Sequence, residues 1–512
     1  MRKFCVMRRE RGVEELVHEV VTNQEAVVTQ SGALATWNPA HSTGRIPKKT
    51  FIVRDTYTEE TVDWNFSMCN PMDPKTFDRL FRDTQKKLGA LNRVYMTERT
   101  IGADTTYALP VRVTADRALT ALFTHNMFLP CIGAEWNEAT GAGFELLVLS
   151  NDTHQCVAMD FHRKRGVIIG TSYLGCAKKL MFTVMNYLLP ARGVLPLHCS
   201  AVEDERGDTH LFLGLSGTGK TTLSSDPRRK LIGDDEHFWS DHGIANMENG
   251  CYAKLINLNA EKEPEIYEAV FEATSPTGGG LRRGAVIIEN AMVYPDGSVD
   301  LNDSRLTENS RASYPLTSLK NIKKEKCGGH PKSIVFLTAD ANGVLPPIAK
   351  LNTNQAMLWF LMGYTSKLAG TETGVTTPQS TFSRFFGGPF MPYRPQVYLD
   401  LFREKILKHG THVFLVNTGW GGGAYPHATR MDIILTRQLV DAALSGELNT
   451  VSCEEDKRFH FGIPKECPKY TWEGPATYEK AADALAQEFA RAFEKEFAGK
   501  VSQEIAACCP GH

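Results

Sequence analysis

The chain has 512 residues, 42% of them hydrophobic and 23% charged, so it is long enough for several domain-sized units with large apolar cores. This composition excludes a disordered, collagen-like or coiled-coil protein. The 57 Lys and Arg residues nearly balance the 59 Asp and Glu residues, which gives a formal net charge of −2. Because this balance provides no global basic field for nucleic acid, recognition of an anionic ligand must come from locally placed charges.

Cysteine usage and apolar runs indicate the compartment. None of the 12 cysteines stands in a Cys-x-x-Cys pair, which argues against a disulfide-stapled secreted domain or a cysteine-ligated zinc module. Apolar runs such as Phe182–Leu189 are shorter than the about 20 residues that a membrane helix needs. The basic amino terminus is not followed by an apolar run, although a short organellar leader stays open as an alternative. We expect a cytoplasmic monomer or homo-oligomer without nucleic-acid or membrane partners.

The first part of the chain mixes predicted helices and strands. Helical spacing runs over Ala115–Phe128, and Glu145–Leu149 and Gly166–Gly170 are typical of short buried strands. Lys178–Leu189 predicts a helix that Pro190 ends. The expected fold class is therefore α/β.

A change of pattern near Gly193 predicts the main boundary, with one α/β domain over residues 1–193 and a second domain over residues 194–512. In the second domain, His210–Leu213 predicts a strand that runs directly into glycines. The chain from there to about residue 440 predicts short strands separated by turns, including the hairpin signal Pro295-Asp-Gly297. Tyr478–Phe497 predicts an amphipathic helix.

The segment Gly214-Leu-Ser-Gly-Thr-Gly-Lys-Thr221 fits the Gly-x4-Gly-Lys-Ser/Thr pattern, between a predicted strand and a helix start. Glycines allow backbone N–H groups to turn toward phosphate oxygens, and the amino end of a helix adds partial positive charge. Lys220 is predicted to reach the outer phosphates, and the Thr221 hydroxyl to bind Mg²⁺. The alternative is an ordinary glycine-rich turn, which the combination of strand, loop, lysine and threonine disfavours.

Two aspartates, Asp234 and Asp235, follow the glycine-rich loop closely in sequence. Pro227 limits the helix after Lys220 to a turn or two, and Leu231-Ile-Gly-Asp-Asp235 predicts an apolar strand that ends in two aspartates. An extended backbone points Asp234 and Asp235 to opposite sides, so that one faces the Mg²⁺ of a nucleotide and the other a second metal. Two solvated turn aspartates are the alternative.

Together, these residues resemble the ATP-dependent phosphoenolpyruvate carboxykinase family. The resemblance runs from about residue 25 to 500 and includes, besides the segments above, Ser42-Thr-Gly-Arg45, Gly250-Cys-Tyr-Ala-Lys254, Glu263-Pro-Glu-Ile-Tyr267, Thr307-Glu-Asn-Ser-Arg311 and Asn417-Thr-Gly-Trp420.

The resemblance implies a two-domain fold, with an amino-terminal α/β domain, a carboxyl-terminal P-loop mononucleotide-binding domain and the active site in the cleft. It implies conversion of oxaloacetate and ATP to phosphoenolpyruvate, ADP and CO2, in gluconeogenesis or in anaplerotic CO2 fixation. Two ions are implied, Mg²⁺ on the nucleotide and Mn²⁺ at a second site.

The second metal would be held by Lys179, His198 and Asp235. A lysine ligand must be uncharged, and removing its proton at pH 7 from a pKa of about 10.4 costs about 4.6 kcal/mol. The neighbouring Lys178 ammonium, burial and the charge of the metal all favour this loss. Read alone, Lys178-Lys179 predicts a solvated helix start, and His198 predicts a core histidine.

The resemblance also implies substrate contacts. Arg45 would bind the carboxylated substrate, Tyr173 would lie beside the enolate or CO2, and Arg311 would grip the transferred phosphoryl group. The implied catalytic set is Arg45, Tyr173, Lys178, Lys179, Lys220, Asp234, Asp235 and Arg311. The implied nucleotide contacts are Leu215, Ser216, Gly217, Thr218, Gly219, Lys220, Thr221, Thr222, Lys254, Glu263, Arg311, Arg430 and Thr436. A lid is predicted over residues 367–383.

Some positions depart from the family pattern. Leu174-Gly-Cys-Ala177 is unusual, and the loop Pro426–Arg430 lacks the usual glycines, with Thr429 where lysine is typical. Two alternatives to an active carboxykinase therefore stay open: an ATP-binding protein of weakened activity, and another small-acid or protein kinase on the same scaffold. Arg45, Tyr173, Lys179 and His198 argue against a plain kinase, which has no need of residues for an enolate.

Overall fold

A computed structural model describes the chain over residues 12–132, 136–137, 142–272, 286–367, 378–467, 472 and 474–511. The fold is mixed α/β with several sheets. The chain divides into two compact units: the first is Met1–Leu189 with Ala245–Lys326, and the second is Pro190–Ile244 with Cys327–His512.

Sheet pairing explains why Ala245–Lys326 belongs to the first unit. Strand Ile287–Glu289 runs parallel to Leu34–Thr36 and antiparallel to Arg311–Pro315, which in turn pairs with Gly250–Lys254. Pairing between strands so distant in sequence leaves no local signal. The boundary predicted near Gly193 lies close to the first change of unit. A single boundary does not account for Ala245–Lys326, where the chain returns to the first unit.

The first unit also holds a seven-stranded sheet. Helix Pro74–Ala90 packs on this sheet. The helix begins at Pro74 because Asp73 caps it by accepting a hydrogen bond from the Thr76 amide and because proline suits the first turn. Its buried Phe77, Phe81, Thr84 and Leu88 recur at helical spacing, and the three apolar ones contribute to the core on the sheet. The strand order is Asn70–Met72, Thr50–Val53, Cys156–Asp160, Arg165–Ile169, Phe144–Leu149, Leu109–Ala115, Tyr95–Ile101.

The remaining elements of the first unit are an edge strand, a separate two-stranded hairpin and several helices. Its other strands are Val27–Val28, Met292–Val293 and Val299–Asp300, the last two forming the hairpin predicted at Pro295-Asp-Gly297. Its other helices are Val13–Thr22, Ala118–Met127, Gly175–Leu188 and Pro264–Tyr267, with short turns of helix at Ala40–Ser42, Pro47–Lys49, Glu268–Glu272 and Leu316–Ser318.

The second unit is built on a large mixed sheet with three adjacent parallel strands at its centre, Thr209–Leu213, Pro331–Thr338 and His412–Asn417. Their carboxyl ends lie at one edge, where ligands bind in open α/β sheets. The other strands of this sheet in the second unit are Leu195–Glu203, Lys230–Gly233, Glu236–Ser240, Cys327–Gly328, Ile348–Leu351, Cys453–Glu455 and Gly462–Pro464. Tyr364–Lys367 and Gln379–Phe382 form a separate two-stranded sheet. Gly243–Asn246 is a strand at the change of unit.

The helices of the second unit are Lys220–Ser224, Thr353–Met362, Pro395–His409, Ile433–Ser445, Pro475–Phe497 and Gln503–Ala506, with short turns of helix at Pro190–Arg192, Arg384–Phe386, Gly388–Phe390 and Glu447–Asn449. The carboxyl-terminal amphipathic helix is confirmed, with Leu485, Phe489 and Phe493 among its buried residues.

The structure confirms other predicted elements within a few residues, including the helix Gly175–Leu188 and the strand Phe144–Leu149. The prediction of only short strands up to about residue 440 is wrong, because three long helices lie there. Thr353–Met362 shows the reason: Gln355 through Met362 are all buried, so no polar face marks the helical period.

Among the described residues, no helix combines the length and the apolar character that crossing a membrane requires.

Candidate active site

Glycine conformation shapes the loop at the end of strand Thr209–Leu213. Gly217 and Gly219 have φ angles of 86° and 84°, in the left-handed region that disfavours other residues. A Cβ on Gly214 would lie 2.4 Å from Thr218 Oγ1. The loop is therefore the tight turn that the glycine pattern predicts, and Lys220 begins the helix that follows.

The helix after the loop is short, as Pro227 predicts, and ends at Ser224. Strands Thr209–Leu213 and Lys230–Gly233 both run antiparallel to Leu195–Glu203, so they run in the same direction with that strand between them. The second of them leads to the aspartate pair.

Asp234 and Asp235 lie in a bend between two strands, so the extended geometry predicted for the pair is wrong. Hydrogen bonds to the two aspartate carbonyls hold the bend. The Ser200 hydroxyl donates to the Asp234 carbonyl at 2.6 Å, and the Cys199 amide donates to the Asp235 carbonyl at 2.9 Å. The bend allows the Asp235 carboxylate to face two other predicted site residues.

Asp235 Oδ1 is 2.9 Å from His198 Nε2 and 3.3 Å from Lys220 Nζ. His198 Nδ1 is 2.7 Å from the Phe386 carbonyl oxygen, which only accepts hydrogen bonds. Nδ1 therefore carries the proton, and Nε2 of a neutral ring presents its lone pair to the carboxylate.

This donor set fits a divalent cation. A neutral imidazole nitrogen and a carboxylate oxygen at 2.9 Å both present lone pairs, so either a proton or a cation must lie between them. The backbone behind His198 is under strain, because Phe385 and Phe386 have φ angles of 60° and 56°. A Cβ on Gly387 would lie 3.1 Å from His198 Cβ. The strained segment thus fixes the ring and its tautomer, as carbonyl partners of metal-binding histidines do.

Arg430 contacts the glycine-rich loop that precedes Lys220. Its Nε donates to the Thr418 carbonyl at 2.9 Å, and its Nη2 donates to the Gly217 carbonyl at 3.2 Å. Burial lowers the pKa of this guanidinium, which stays positive at neutral pH. Thr436 is buried in helix Ile433–Ser445, and its hydroxyl donates to the Asp432 carbonyl at 2.9 Å. Of these two predicted nucleotide residues, Arg430 contacts the phosphate loop directly.

In the first unit, Asn309 joins the predicted substrate residues. Its Oδ1 accepts from Arg311 Nε at 3.0 Å, and its Nδ2 donates to the Tyr173 hydroxyl at 3.2 Å and to the Thr43 carbonyl at 2.9 Å. Thr43 stands two residues before Arg45. The structure therefore brings the segments of Arg45, Tyr173 and Arg311 together.

Two further predicted residues lie on neighbouring parts of the first unit. Lys254 pairs with Arg311 across adjacent strands. Glu263 precedes the short helix Pro264–Tyr267, and burial raises the pKa of its carboxyl group. The positive charge of Lys262 opposes this shift without cancelling it.

The paired lysines occupy different environments. Lys178 Nζ lies 2.7 Å from Glu248 Oε1, with both side chains at most 4% exposed, so the interpretation of Lys178-Lys179 as a solvated helix start is wrong for Lys178. Lys179 Nζ lies 4.9 Å from the centre of the Phe182 ring. Glu248 therefore balances the charge of Lys178 inside the first unit.

Comparison with known proteins gives a family that this chain matches over most of its length. Residues 6–473 match the family described as phosphoenolpyruvate carboxykinase. The chain is 44% identical to phosphoenolpyruvate carboxykinase (ATP) of Geobacillus kaustophilus, covering 94% of this chain and 92% of that protein. It is 44% identical to phosphoenolpyruvate carboxykinase (ATP) 2 of Moorella thermoacetica, covering 97% and 95%, and 43% identical to the Agrobacterium fabrum protein, covering 97% and 93%.

The chain belongs to the phosphoenolpyruvate carboxykinase family. In this carboxykinase family member, His198, Asp235 and Lys220 belong to the second unit and Lys179 to the first. The shared metal site of Lys179, His198 and Asp235 stays a prediction.

The predicted lid of the carboxykinase falls mostly outside the described residues, at 368–377. The described strands at its ends, Tyr364–Lys367 and Gln379–Phe382, pair antiparallel, with Lys367 opposite Gln379. The lid itself stays a prediction.

Several residues of the candidate site were not assigned from the sequence. Asn309 lies in a quoted motif, two residues before Arg311, and this proximity is the signal that could have found it. Tyr252 likewise lies two residues before Lys254, and its pKa is raised well above the ordinary value, first by burial and then by Glu289 and Tyr173. Glu289 has no motif around it, and only the sheet pairing places it here.

Proposed function

We propose that this chain catalyses the reversible conversion of oxaloacetate and ATP to phosphoenolpyruvate, ADP and CO2. One observation carries the proposal: a chain of this family has a glycine-shaped phosphate loop and also a hydrogen-bonded Arg311–Asn309–Tyr173 cluster. The first suits a nucleoside triphosphate, and the second suits a small carboxylated substrate.

The loop and Lys220 would bind the triphosphate. Backbone N–H groups of residues 215–222 would face phosphate oxygens, and Lys220 would neutralise charge on the transferred phosphoryl group. Thr221 and Asp234 would hold Mg²⁺ and its waters, and Arg430 would keep the loop in shape through the Gly217 carbonyl.

His198, Asp235 and Lys179 would hold a second divalent cation, expected to be Mn²⁺. When bound, that ion supplies positive charge where negative charge develops on the substrate oxygen. The neutral tautomer of His198, fixed by the Phe386 carbonyl at 2.7 Å, leaves Nε2 ready for such a ligand role.

Arg45, Tyr173 and Arg311 would bind and orient the three-carbon substrate. The guanidinium groups would bind carboxylate and phosphoryl oxygens in pairs of parallel hydrogen bonds, and Asn309 orients Arg311 for this task. The enolate oxygen left by decarboxylation would attack the γ-phosphoryl group in line, so no side-chain nucleophile is required.

The test is to mix purified protein with oxaloacetate, ATP, Mg²⁺ and Mn²⁺ and to measure phosphoenolpyruvate and ADP. We expect both products in equal amounts, and neither when oxaloacetate or ATP is left out. ATP binding without either product would contradict the proposal and favour an ATP-binding protein of weakened activity. Formation of ADP only when another phosphoryl acceptor replaces oxaloacetate would favour a kinase.

A further inference from the structure

Thr418 is a buried residue of the second unit, 6% exposed, directly after strand His412–Asn417. Its Oγ1 is 3.0 Å from the Thr218 carbonyl oxygen, which lies in the glycine-rich loop before Lys220, and 3.2 Å from the Thr338 carbonyl oxygen. Both oxygens only accept, so the hydroxyl donates its one hydrogen toward them, with Thr218 the nearer. The Thr338 oxygen also accepts from the Thr418 amide at 2.7 Å, so this contact between strands does not depend on the hydroxyl.

The backbone that carries Thr418 has a fixed geometry of its own. Asn417, 1% exposed, accepts at Oδ1 from the Gly419 amide at 2.8 Å and from the Asp340 amide at 3.0 Å. Its Nδ2 donates to two further carbonyl oxygens, so the amide group uses its whole hydrogen-bonding capacity. The Thr418 hydroxyl therefore meets the glycine-rich loop from a well-held turn.

Thr418 acts on two successive carbonyls of the loop. Its hydroxyl contacts Thr218 directly, while its carbonyl accepts from Arg430 Nε at 2.9 Å, and Arg430 Nη2 donates to the Gly217 carbonyl at 3.2 Å. The carbonyl and the N–H group of one planar trans peptide point in opposite directions. Because Thr418 holds the Thr218 carbonyl on one side, the Gly219 N–H group points to the other side.

The backbone at Gly219 is open to a ligand. Within the part of the chain that the structure describes, the Gly219 amide has no hydrogen-bond partner. Apart from its chain neighbours, a Cβ built on Gly219 would meet only Leu223 Cδ1, at 4.0 Å. An amide N–H group in such a position can donate a charge-assisted hydrogen bond to a phosphate oxygen.

We propose that Thr418 is a positioning residue for nucleotide binding, whose hydroxyl holds the Thr218 carbonyl so that the Gly219 N–H group faces the phosphates of ATP. The inference rests on the proposed function, in which the glycine-rich loop binds the triphosphate. It gives a role to a residue of the motif Asn417-Thr-Gly-Trp420 that was not assigned from the sequence.

Three variants separate this role from ordinary packing. Thr418→Val removes the hydroxyl but keeps the β-branched shape and the main-chain contact with Arg430, and Thr418→Ser restores a hydroxyl. Thr411→Val is the matched control, because Thr411 directly precedes the same strand at its other end and its hydroxyl donates to the Pro331 carbonyl at 2.7 Å. The control therefore loses a hydroxyl–carbonyl hydrogen bond of the same kind without touching the loop.

The measurement is the Kd for ATP with Mg²⁺, obtained by equilibrium dialysis on the full-length variants. We expect the Kd to rise about tenfold in Thr418→Val, the effect of losing one well-directed hydrogen bond to a charged group. The Kd should return to the wild-type value in Thr418→Ser and stay at that value in Thr411→Val. A merely structural role would lower the urea midpoint in both valine variants and leave the ATP affinity of the folded proteins unchanged.

An unchanged Kd in folded Thr418→Val would overturn the inference, and so would an equal rise in Thr411→Val or a failure of Thr418→Ser to restore binding. Circular dichroism shows which variants are folded. If Thr418→Val does not fold, Thr418→Ala carries the same expectation, with Thr411→Ala as its control.

The wild-type protein distinguishes this inference from the proposed function. Binding of ATP without formation of phosphoenolpyruvate would contradict the proposed reaction and leave the role of Thr418 standing. Failure of the wild-type protein to bind ATP at all would contradict both.

Discussion

The phosphate loop of the second unit and the arginine–tyrosine cluster of the first unit are built in opposite ways. The loop is a continuous segment, Gly214 to Thr221, whose shape comes from its own glycines. The cluster is assembled from segments around residues 43, 173 and 309, joined by hydrogen bonds from the side chains of Asn309 and Arg311. A site made from one segment depends on few contacts from elsewhere, whereas a dispersed site depends on every buried contact that holds its parts in register.

The largest expected effect tests the one predicted metal ligand that the first unit contributes. Lys179→Met removes an amine ligand, and loss of several kcal/mol of stabilisation should lower Mn²⁺-dependent turnover by at least about 10³-fold. ATP affinity should stay nearly unchanged, because the phosphate loop is in the other unit. Steady-state assays and equilibrium dialysis with ATP check both expectations.

Lys86→Met is the control for that change, since Lys86 is exposed on helix Pro74–Ala90. Unchanged turnover in Lys179→Met would refute the ligand assignment. Lost ATP binding would show that the two regions do not work independently.

The next largest effect is expected from breaking the buried ion pair of Lys178 and Glu248. Glu248→Gln leaves a buried ammonium without its carboxylate, and we expect the free energy of unfolding to fall by about 3 kcal/mol. Urea titration measures the change. Glu98→Gln breaks the half-exposed pair with Arg112 in the same unit and should cost at most about 1 kcal/mol. Equal costs would contradict the view that buried contacts hold the first unit in register.

A smaller change tests the geometry of the dispersed cluster. Arg311→Lys keeps the charge but loses the planar donor fork and the hydrogen bond from Nε to Asn309, so kcat should fall about 10²-fold. Arg305→Lys, at a side chain 74% exposed, should leave kcat unchanged. A loss confined to the Michaelis constant for ATP would argue against a substrate-orienting role of Arg311.

The smallest effect concerns the second unit and pH. The rings of His330 and His409 stack with centroids 3.5 Å apart, and Trp239 Nε1 donates to His330 Nδ1 at 3.0 Å. Burial first, and then nearby positive charge including Lys405 and Lys408, lowers the pKa of both histidines, with Asp241 and Glu404 partly opposing this. A base whose folded pKa is depressed stabilises the fold above the ordinary value of about 6.5 and loses that contribution below it.

We therefore expect the urea midpoint of unfolding to be lower at pH 5.5 than at pH 7.5. This decrease should be smaller in the double variant His330→Gln, His409→Gln. Conditions for the two measurements differ only in buffer pH. An equal fall in the double variant would show that other groups carry the pH dependence.

Prediction from sequence succeeded where neighbours in the chain are neighbours in space. The tight glycine turn, the short helix after Lys220 and the strand before Asp234 follow from local rules for glycine, proline and apolar runs. It failed at the bend of Asp234 and Asp235, because contacts from Ser200 and Cys199 on a paired strand override the extended geometry. It also missed helix Thr353–Met362, whose burial on all sides removes the amphipathic pattern.

The sequence by itself determined the residue types of the candidate site and the tight glycine turn, because residue chemistry and short-range backbone preferences are encoded locally. Only the tertiary structure decided that Lys178 is buried against Glu248, that the Phe386 carbonyl sets the tautomer of His198, and that Asn309 joins Arg311 to Tyr173. Each of these depends on burial and on partners far away in the chain. Desolvation and hydrogen-bond direction arise from packing, which no single segment of sequence contains.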